Sequence, residues 1–191
     1  MIVGLTGGIG CGKSFIAATL KELGAHTIEA DDLGRELLAN PGQCHDAVLA
    51  GFGTTDRREL AAKVFNNPEA LAKLNAIVHP AVRERALQEF AAIHAQDPHA
   101  IVIYVAAILF ESGAVRETGK VIVVTCTHAQ QIERALERPG TTQADIEARI
   151  ARQMPLEQKA ALADFLIDAG HTKEETRRQT KMVFEELKKL A

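Results

Sequence analysis

The sequence has no tryptophan and a single tyrosine among its 191 residues, and seven phenylalanines complete its aromatic content. Proteins that bind single-stranded nucleic acids stack the bases on aromatic side chains, so this composition argues against such a partner. The formal net charge is −3, which leaves no excess of basic residues to bind a phosphate backbone. We therefore expect no nucleic-acid partner.

Cysteine is also scarce, since the chain contains only Cys11, Cys44 and Cys126. Their odd number and wide spacing predict neither a metal site nor a disulfide framework, and they favour a reducing compartment such as the cytoplasm. Cys11 lies within a glycine-rich loop. The favoured interpretation is a small residue tolerated at a variable position, and the alternative is an oxidation-sensitive thiol at the active site.

Long apolar runs are absent as well. No run approaches the roughly 20 residues that a membrane-spanning helix needs, and the first residues predict a strand rather than a targeting segment. We expect a cytoplasmic protein without a membrane partner. Hydrophobic residues make up 47% of the chain, which at this length suits one large domain or a core with a small insertion.

The clearest motif is GGIGCGKS at residues 7–14, which matches the phosphate-binding pattern G-x-x-x-x-G-K-[ST] at every fixed position. Residues 2–5 predict a strand before it, and residues 14–23 predict a helix after it. Such a loop points its backbone N–H groups at one place, next to the positive end of the helix dipole. We expect Lys13 to reach the β- and γ-phosphates and the Ser14 hydroxyl to bind Mg²⁺. A glycine-rich turn without a ligand is the weaker alternative.

Acidic residues end the second predicted strand, residues 25–32. Ligands gather at the carboxyl ends of parallel strands, so a carboxylate there is placed to accept a proton from an attacking hydroxyl. We favour this role for Asp31. For Asp32 we favour the cap of the next helix, predicted over residues 33–40.

The middle of the chain, residues 46–96, predicts helical pieces that suit a second-substrate domain. The pair His79-Pro80 predicts a break, and spacing alone gives His79 a structural role. The apolar runs 100–105 and 121–125 predict central strands. Neither run ends in aspartate, which argues against motor ATPases and most signalling GTPases, and no N-K-x-D sequence is present to bind guanine.

The last third predicts a helix, a loop and a second helix over residues 129–153. Arg134 and Arg138 share one face of the first helix. This hairpin is either a lid that closes over phosphates or a solvated helix pair, because glutamates are interleaved with the arginines. Residues 165–168 predict a last strand, and residues 173–190 predict a terminal amphipathic helix.

Several segments together resemble the dephospho-coenzyme A kinase family. They are LTGGIG at 5–10, IEAD at 28–31 with Arg35, DRREL at 56–60, VFNNP at 64–68, LNAIVHP at 74–80, and the stretches 149–155 and 163–168. The resemblance implies that ATP phosphorylates the ribose 3′-hydroxyl of dephospho-CoA, giving CoA and ADP. It also implies a small-molecule acceptor. The sequence does not reveal the oligomeric state, and we expect either a monomer or a weak homo-oligomer.

The fold expected is α/β, of the P-loop nucleoside-triphosphate-hydrolase type, with a five-stranded parallel sheet flanked by helices. We expect a single kinase domain in three parts. These are a core (about 1–32, 98–128 and 160–191), a helical substrate-binding insertion (about 33–97) and a helical lid (about 129–159).

The resemblance also implies roles for individual residues. Asp31 is the expected general base, and Lys13 and Arg138 offset charge on the transferred group. The expected ATP-binding residues are Gly8, Ile9, Gly10, Cys11, Gly12, Lys13, Ser14, Phe15, Arg138 and Gly170. The expected substrate-binding residues are Thr6, Asp31, Arg35, His79 and Glu111, and Ser14 is the expected Mg²⁺ ligand.

Five positions depart from the family pattern, although none carries a group assigned to the chemistry. Glu29 replaces an aspartate, Cys11 stands where serine is common, and Phe15 stands where threonine is common. Ala107 replaces a proline, and Ala169 replaces an asparagine.

Overall fold

The structure is a computed structural model that describes residues 1–65, 67–137 and 139–191. It contains a five-stranded parallel sheet in the order β2-β3-β1-β4-β5. The strands are β1 (Ile2–Gly7), β2 (His26–Glu29), β3 (Val102–Val105), β4 (Lys120–Thr125) and β5 (Phe165–Asp168). This confirms the expected fold class.

The central strand β1 pairs with β3 on one side and β4 on the other, with Leu5 opposite Val105 and Thr6 opposite Val123. The inner strands β1, β3 and β4 are largely buried because helices cover both faces of the sheet. The chain runs from β1 towards β2 at one edge and later returns to β4 on the other side. The loop after β1 therefore lies where the strand order reverses, the usual ligand site of such sheets.

The chain divides into two units, and the first comprises residues 1–28 and 93–191. Its helices are α1 (Lys13–Glu22), α6 (His128–Leu136), α7 (Gln143–Ala151), α8 (Leu156–Ala161) and α9 (Lys173–Leu190). Helices α1 and α9 pack together over one face of the sheet, where Ile16, Leu20 and Leu187 are fully buried. Thr127 and Thr142 begin α6 and α7 with reciprocal capping hydrogen bonds.

The second unit, residues 29–92, is helical. It contains α2 (Ala30–Ala39), α3 (Gln43–Phe52), α4 (Arg57–Val64) and most of α5 (Pro68–Gln96). Helices α2 and α3 pack against each other. Asp56 caps α4, since its carboxylate accepts hydrogen bonds from the backbone N–H groups of Arg58 and Glu59.

The predicted break at His79-Pro80 is wrong, because Pro80 lies inside α5, a continuous helix of 29 residues. Proline removes one backbone donor and crowds the preceding turn. The hydrogen-bonded turns on both sides of Pro80 compensate for that single lost hydrogen bond. In the part of the helix that follows, Ala86 and Phe90 are buried.

The prediction that Asp32 caps α2 is also wrong. The helix begins at Ala30 and its N-cap position is Glu29, which makes no side-chain capping hydrogen bond. Asp32 therefore lies inside the first turn, where its carboxylate is 2.8 Å from the Arg35 guanidinium. The same early start shortens β2, and α8 was not predicted at all.

No helix in the described part of the chain combines the length and the apolar character that crossing a bilayer requires.

Candidate active site

The loop at residues 7–14 has the curled backbone that its glycines predict. Gly10 and Gly12 have φ angles of +74° and +85°, which side-chain-bearing residues rarely adopt. Gly12 is the N-cap of α1, and its carbonyl accepts hydrogen bonds from the N–H groups of Phe15 and Ile16 at 3.1 and 3.3 Å. Strand, loop and helix thus follow one another as expected, and the loop leads into the positive end of α1.

Lys13 is the first residue of α1, and its side chain folds back over the loop. Its ammonium donates hydrogen bonds to the carbonyls of Gly7 at 3.0 Å and Gly8 at 2.9 Å. The positive charge is therefore held beside the same backbone segment whose N–H groups form the predicted anion site. The Ser14 side chain follows at an exposed position. The half-buried Phe15 packs against the main core, with its ring centroid 5.6 Å from Arg177 Cζ.

Helix α6 supports this loop from the other side. A Cβ added at Gly10 would overlap the backbone of Gln131, so only glycine allows this close approach. The Ile9 side chain is buried in a small apolar cluster with Ala135 of α6 and Ile146 of α7. The phosphate loop is thus packed directly against the helical hairpin predicted as a lid.

Helix α6 is also fixed to the loop after β5. Gln130 Nε2 donates to the Gly170 carbonyl at 2.8 Å, and Arg134 Nη2 donates to the Ala169 carbonyl at 2.9 Å. The Gly170 N–H in turn donates to Asp168 Oδ1 at 2.8 Å. Gly170, an expected ATP contact, therefore has a defined position in the same unit as the phosphate loop. Arg138, the expected ATP contact in the hairpin, lies outside the described residues.

An ion pair that the sequence did not predict lies after β3. The Lys159 side chain has no exposed surface, and its ammonium is 2.8 Å from Glu111 Oε1. Glu111 also accepts a hydrogen bond from the Met154 N–H at 2.8 Å. Burial alone raises the pKa of Glu111. The hydrogen bonds from Lys159 and from backbone N–H groups, together with the lysine charge, outweigh it and hold the pKa below its usual range.

The Ala107 carbonyl receives two donors in the same region. Lys159 Nζ donates to it at 2.7 Å, and the fully buried Thr6 hydroxyl donates to it at 3.4 Å. Thr6 and Glu111, both expected to contact substrate, are thus linked through Lys159 and this carbonyl. The role of Lys159 was missed because a single lysine between Gln158 and Ala160 in a short helix carries no sequence pattern of burial.

The other expected substrate contacts lie in the helical unit. Asp31 is exposed in the first turn of α2, directly after β2. Arg35 extends from the same helix and pairs with Asp32. His79 is half-buried in α5, and burial lowers its pKa below the ordinary value, so the imidazole is neutral near pH 7. The same unit holds a groove of about 460 Å³ between α2, α3 and α5.

The structure also brings together two cysteines that the sequence did not pair. The Sγ atoms of Cys11 and Cys126 lie 3.1 Å apart, although 115 positions separate them in the chain. Cys11 follows β1 and Cys126 follows β4, and these strands are neighbours in the sheet. The sequence shows where both strands end but not that they are adjacent, so this contact was not predictable from it.

Among the residues that the structure describes, no three His, Cys, Asp or Glu side chains cluster as a metal site. One side chain nonetheless offers the kind of oxygen donor that Mg²⁺ needs. Mg²⁺ is usually held by few protein oxygens, several waters and the phosphates of a nucleotide. The exposed Ser14 hydroxyl beside the loop is an oxygen donor of that kind.

A family model described as dephospho-CoA kinase (CoaE) matches residues 1–175. A dephospho-CoA kinase from Geobacillus kaustophilus is 41% identical over 187 residues, covering 94% of this chain and 92% of that protein. A crystal structure from Thermus thermophilus superposes with a TM-score of 0.83 at 31% identity, covering 98% and 97% of the two chains. A dephospho-CoA kinase from Campylobacter jejuni does so with a TM-score of 0.73 at 26% identity and the same coverage.

Proposed function

The chain belongs to the dephospho-CoA kinase family, and on that premise we propose how its own residues carry out the reaction. Enzymes of this family are transferases that phosphorylate dephospho-CoA to CoA, the final step of CoA biosynthesis. The chain is accordingly a kinase that uses ATP as the phosphoryl donor. What remains to be assigned is which side chains bind the donor, activate the acceptor hydroxyl and offset charge.

The observation that carries the assignment is the loop at residues 7–14 with Lys13 folded over it. The N–H groups of a loop curled at Gly10 and Gly12 suit the β- and γ-phosphates of ATP, and α1 begins at the same point. We assign the ammonium of Lys13 to the transferring phosphoryl group. Phosphoryl transfer depends mainly on positioning and charge stabilisation, and a lysine held at the loop supplies both.

Asp31 is the general base in this proposal. It accepts the proton of the ribose 3′-hydroxyl as that oxygen forms its bond to the γ-phosphorus and the bond to the β-phosphate oxygen of ADP breaks. Two features support the assignment. Asp31 directly follows β2, a strand of the parallel sheet, and its carboxylate is exposed in the first turn of α2. Carboxyl ends of parallel strands are the usual place for such groups.

Charge on the phosphates is offset by three groups in the proposal: Lys13, Arg138 and Mg²⁺. Arg138 is two positions beyond the end of α6 in the sequence, and the α6 residues Gln130 and Arg134 donate hydrogen bonds to the carbonyls of Gly170 and Ala169. The Ser14 hydroxyl would hold Mg²⁺, which when bound supplies positive charge next to the β- and γ-phosphates.

Acceptor binding is assigned to residues of the helical unit, of β1 and of the segment after β3. Arg35 and His79 are the contacts proposed from the helical unit, and Thr6 in β1 and Glu111 after β3 are the other two. A neutral His79 offers a hydrogen bond rather than a charge. We further propose that the enzyme works in the cytoplasm as a monomer or weak homo-oligomer, without a nucleic-acid partner.

The test is ADP production measured with a coupled assay in the presence and absence of dephospho-CoA. We expect ADP release to depend on dephospho-CoA, and we expect ³¹P NMR of the product to show a phosphate on the ribose 3′-oxygen. A panel of nucleosides and nucleotides tests the rival acceptors. Faster turnover of any of them would contradict the acceptor assignment, and ADP release that is absent with every acceptor would indicate a nucleotide-binding protein without kinase activity.

A further inference from the structure

Two thiols meet at the base of the phosphate loop. Cys11 is fully buried between Gly10 and Gly12, and its Sγ atom lies 3.1 Å from that of Cys126. A disulfide bond is about 2.05 Å long, so the two sulfur atoms need to approach by only about 1 Å.

The two thiols differ in access to solvent. Cys126 is partly exposed, whereas Cys11 has no exposed surface. The contact with Cys11 and the nearby positive charges of Arg134 and Lys13 lower the pKa of the Cys126 thiol, although burial and Asp168 oppose them. The contact with Cys126 and burial raise the pKa of Cys11. A more acidic, accessible thiol beside a buried neutral one is the arrangement of an attacking and a resolving cysteine.

We propose that Cys11 and Cys126 form a redox site in which a peroxide converts the thiol pair into a disulfide that disables the phosphate loop. The Cys126 thiolate attacks a peroxide oxygen, so that an S–O bond forms, the O–O bond breaks, and the departing hydroxide leaves as water after taking a proton. The Cys11 sulfur then attacks Cys126 Sγ. The S–S bond forms, the S–O bond breaks, and the Cys11 proton leaves with the hydroxide as a second water.

The two thiols together lose two electrons, and the peroxide gains them. Attack by a dithiol on the resulting disulfide restores both thiols and makes the change reversible.

The consequence for the enzyme comes from where Cys11 lies. Its N–H donates to the Gly8 carbonyl at 3.3 Å, so the residue is part of the turn that aims the loop amides. The disulfide would pull Cys11 towards the connection between β4 and α6, where Cys126 precedes the capping residue Thr127. A shift of about 1 Å in a positioning group can cost about 100-fold in rate. This consequence rests on the proposed ATP-binding role of the loop, whereas formation of the disulfide does not.

The test treats the reduced protein with stoichiometric hydrogen peroxide, blocks the remaining thiols by alkylation and maps the peptides without reduction. Of the three free cysteines, we expect two to be lost to a Cys11–Cys126 disulfide and Cys44 alone to be alkylated. We expect dephospho-CoA turnover and calorimetric ATP affinity to fall together, turnover by about 100-fold, and dithiothreitol to restore both.

Two variants provide the controls. Cys126→Ser removes the exposed partner, so we expect basal turnover close to the parent value and little loss after peroxide. Cys44→Ser is the matched control, because it removes a buried cysteine in the helical unit and should leave both the disulfide and the inactivation intact.

Three results would overturn the proposal. They are oxidation of Cys126 to sulfinic acid without a disulfide, equal inactivation of Cys126→Ser, and a disulfide that leaves ATP affinity unchanged. Failure of the proposed function is distinguishable, because it would show as no dephospho-CoA turnover in the reduced protein while the peptide map still reported the disulfide.

Discussion

The ammonium of Lys159, on a side chain with no solvent-exposed surface, lies 2.8 Å from Glu111 Oε1. This contact joins three segments of the first unit (residues 1–28 and 93–191). They are the Ala107 carbonyl after β3, Glu111 a turn later, and the Met154 N–H just before α8. A buried ammonium needs partners for its charge and its donors, so we expect this pair to fix the end of the predicted lid to the loop that follows β3.

Removing either partner of this pair should destabilise the protein. Glu111→Gln leaves the Lys159 charge buried without a counter-charge, and such losses cost about 3–5 kcal/mol in fully buried pairs. The Glu111 side chain is 21% exposed, so partial solvation should reduce the cost to about 2 kcal/mol. Urea unfolding measures it.

The exposed pair Lys120–Asp164 has the same 2.8 Å separation and is the matched control. Lys120→Met should cost less than about 1 kcal/mol. Equal losses of unfolding free energy in Glu111→Gln and Lys120→Met would show that the burial of Lys159 adds nothing to the cost of removing its partner.

The contribution of Glu111 to the free energy of unfolding should also depend on pH. Its pKa is lowered in the folded protein, so the stabilisation is present above the unfolded-state pKa of about 4.3 and is lost as pH falls through the folded-state pKa. The difference in unfolding free energy between the parent and Glu111→Gln should stay constant between about pH 6 and 8 and shrink below about pH 4. A difference that remains constant to the lowest pH at which the protein folds would contradict the lowered pKa.

Gly10→Ala should lower the stability of the protein by more than its backbone angle alone predicts. Gly10 and Gly113 have nearly equal φ angles, +74° and +75°, but a Cβ at Gly10 would overlap the Gln131 backbone whereas a Cβ at Gly113 meets nothing within 4 Å. Gly113→Ala should therefore cost only about 1–2 kcal/mol. Gly10→Ala should cost more in urea unfolding and should weaken ATP binding in calorimetry. Equal losses in the two variants would mean that the loop does not need its close approach to α6.

Lys13→Met should remove a charge that acts on the transferring phosphoryl group. We expect kcat to fall by about 100- to 1,000-fold, the range found when one preorganised charge-stabilising donor is lost. Steady-state kinetics at saturating ATP measure it. Lys21→Met removes an exposed lysine from the last turn of the same helix and should leave kcat within about twofold. Similar losses in both variants would point to damage to α1 rather than to chemistry.

Local sequence patterns predicted much of the fold and the phosphate loop. The bounds of β5 and α9 agree with the predicted ranges, because a short apolar run and a long amphipathic repeat each carry a strong periodic signal. The loop at residues 7–14 was predictable because all the fixed positions of its motif lie within eight consecutive residues.

Features that depend on distant parts of the chain were not predictable. Lys159 is buried because Glu111 and the Ala107 carbonyl receive its ammonium, and nothing near residue 159 shows this. Cys11 and Cys126 meet because β1 and β4 are neighbours, an order that the sequence does not state. The break expected at Pro80 is wrong for a different, local reason, since helix continuity there depends on the turns on both sides of the proline.

The central claim is that Asp31 accepts the proton of the acceptor hydroxyl while the loop holds ATP. Asp31→Asn keeps the size of the side chain and removes the base, and Asp32→Asn is the matched control because its carboxylate is paired with Arg35 in the same turn. The decisive measurement is kcat with dephospho-CoA beside the calorimetric Kd for ATP in both variants. We predict that Asp31→Asn lowers kcat by about 100-fold or more with an unchanged Kd, and that Asp32→Asn changes neither by more than about threefold. Near-normal turnover in Asp31→Asn would contradict the account.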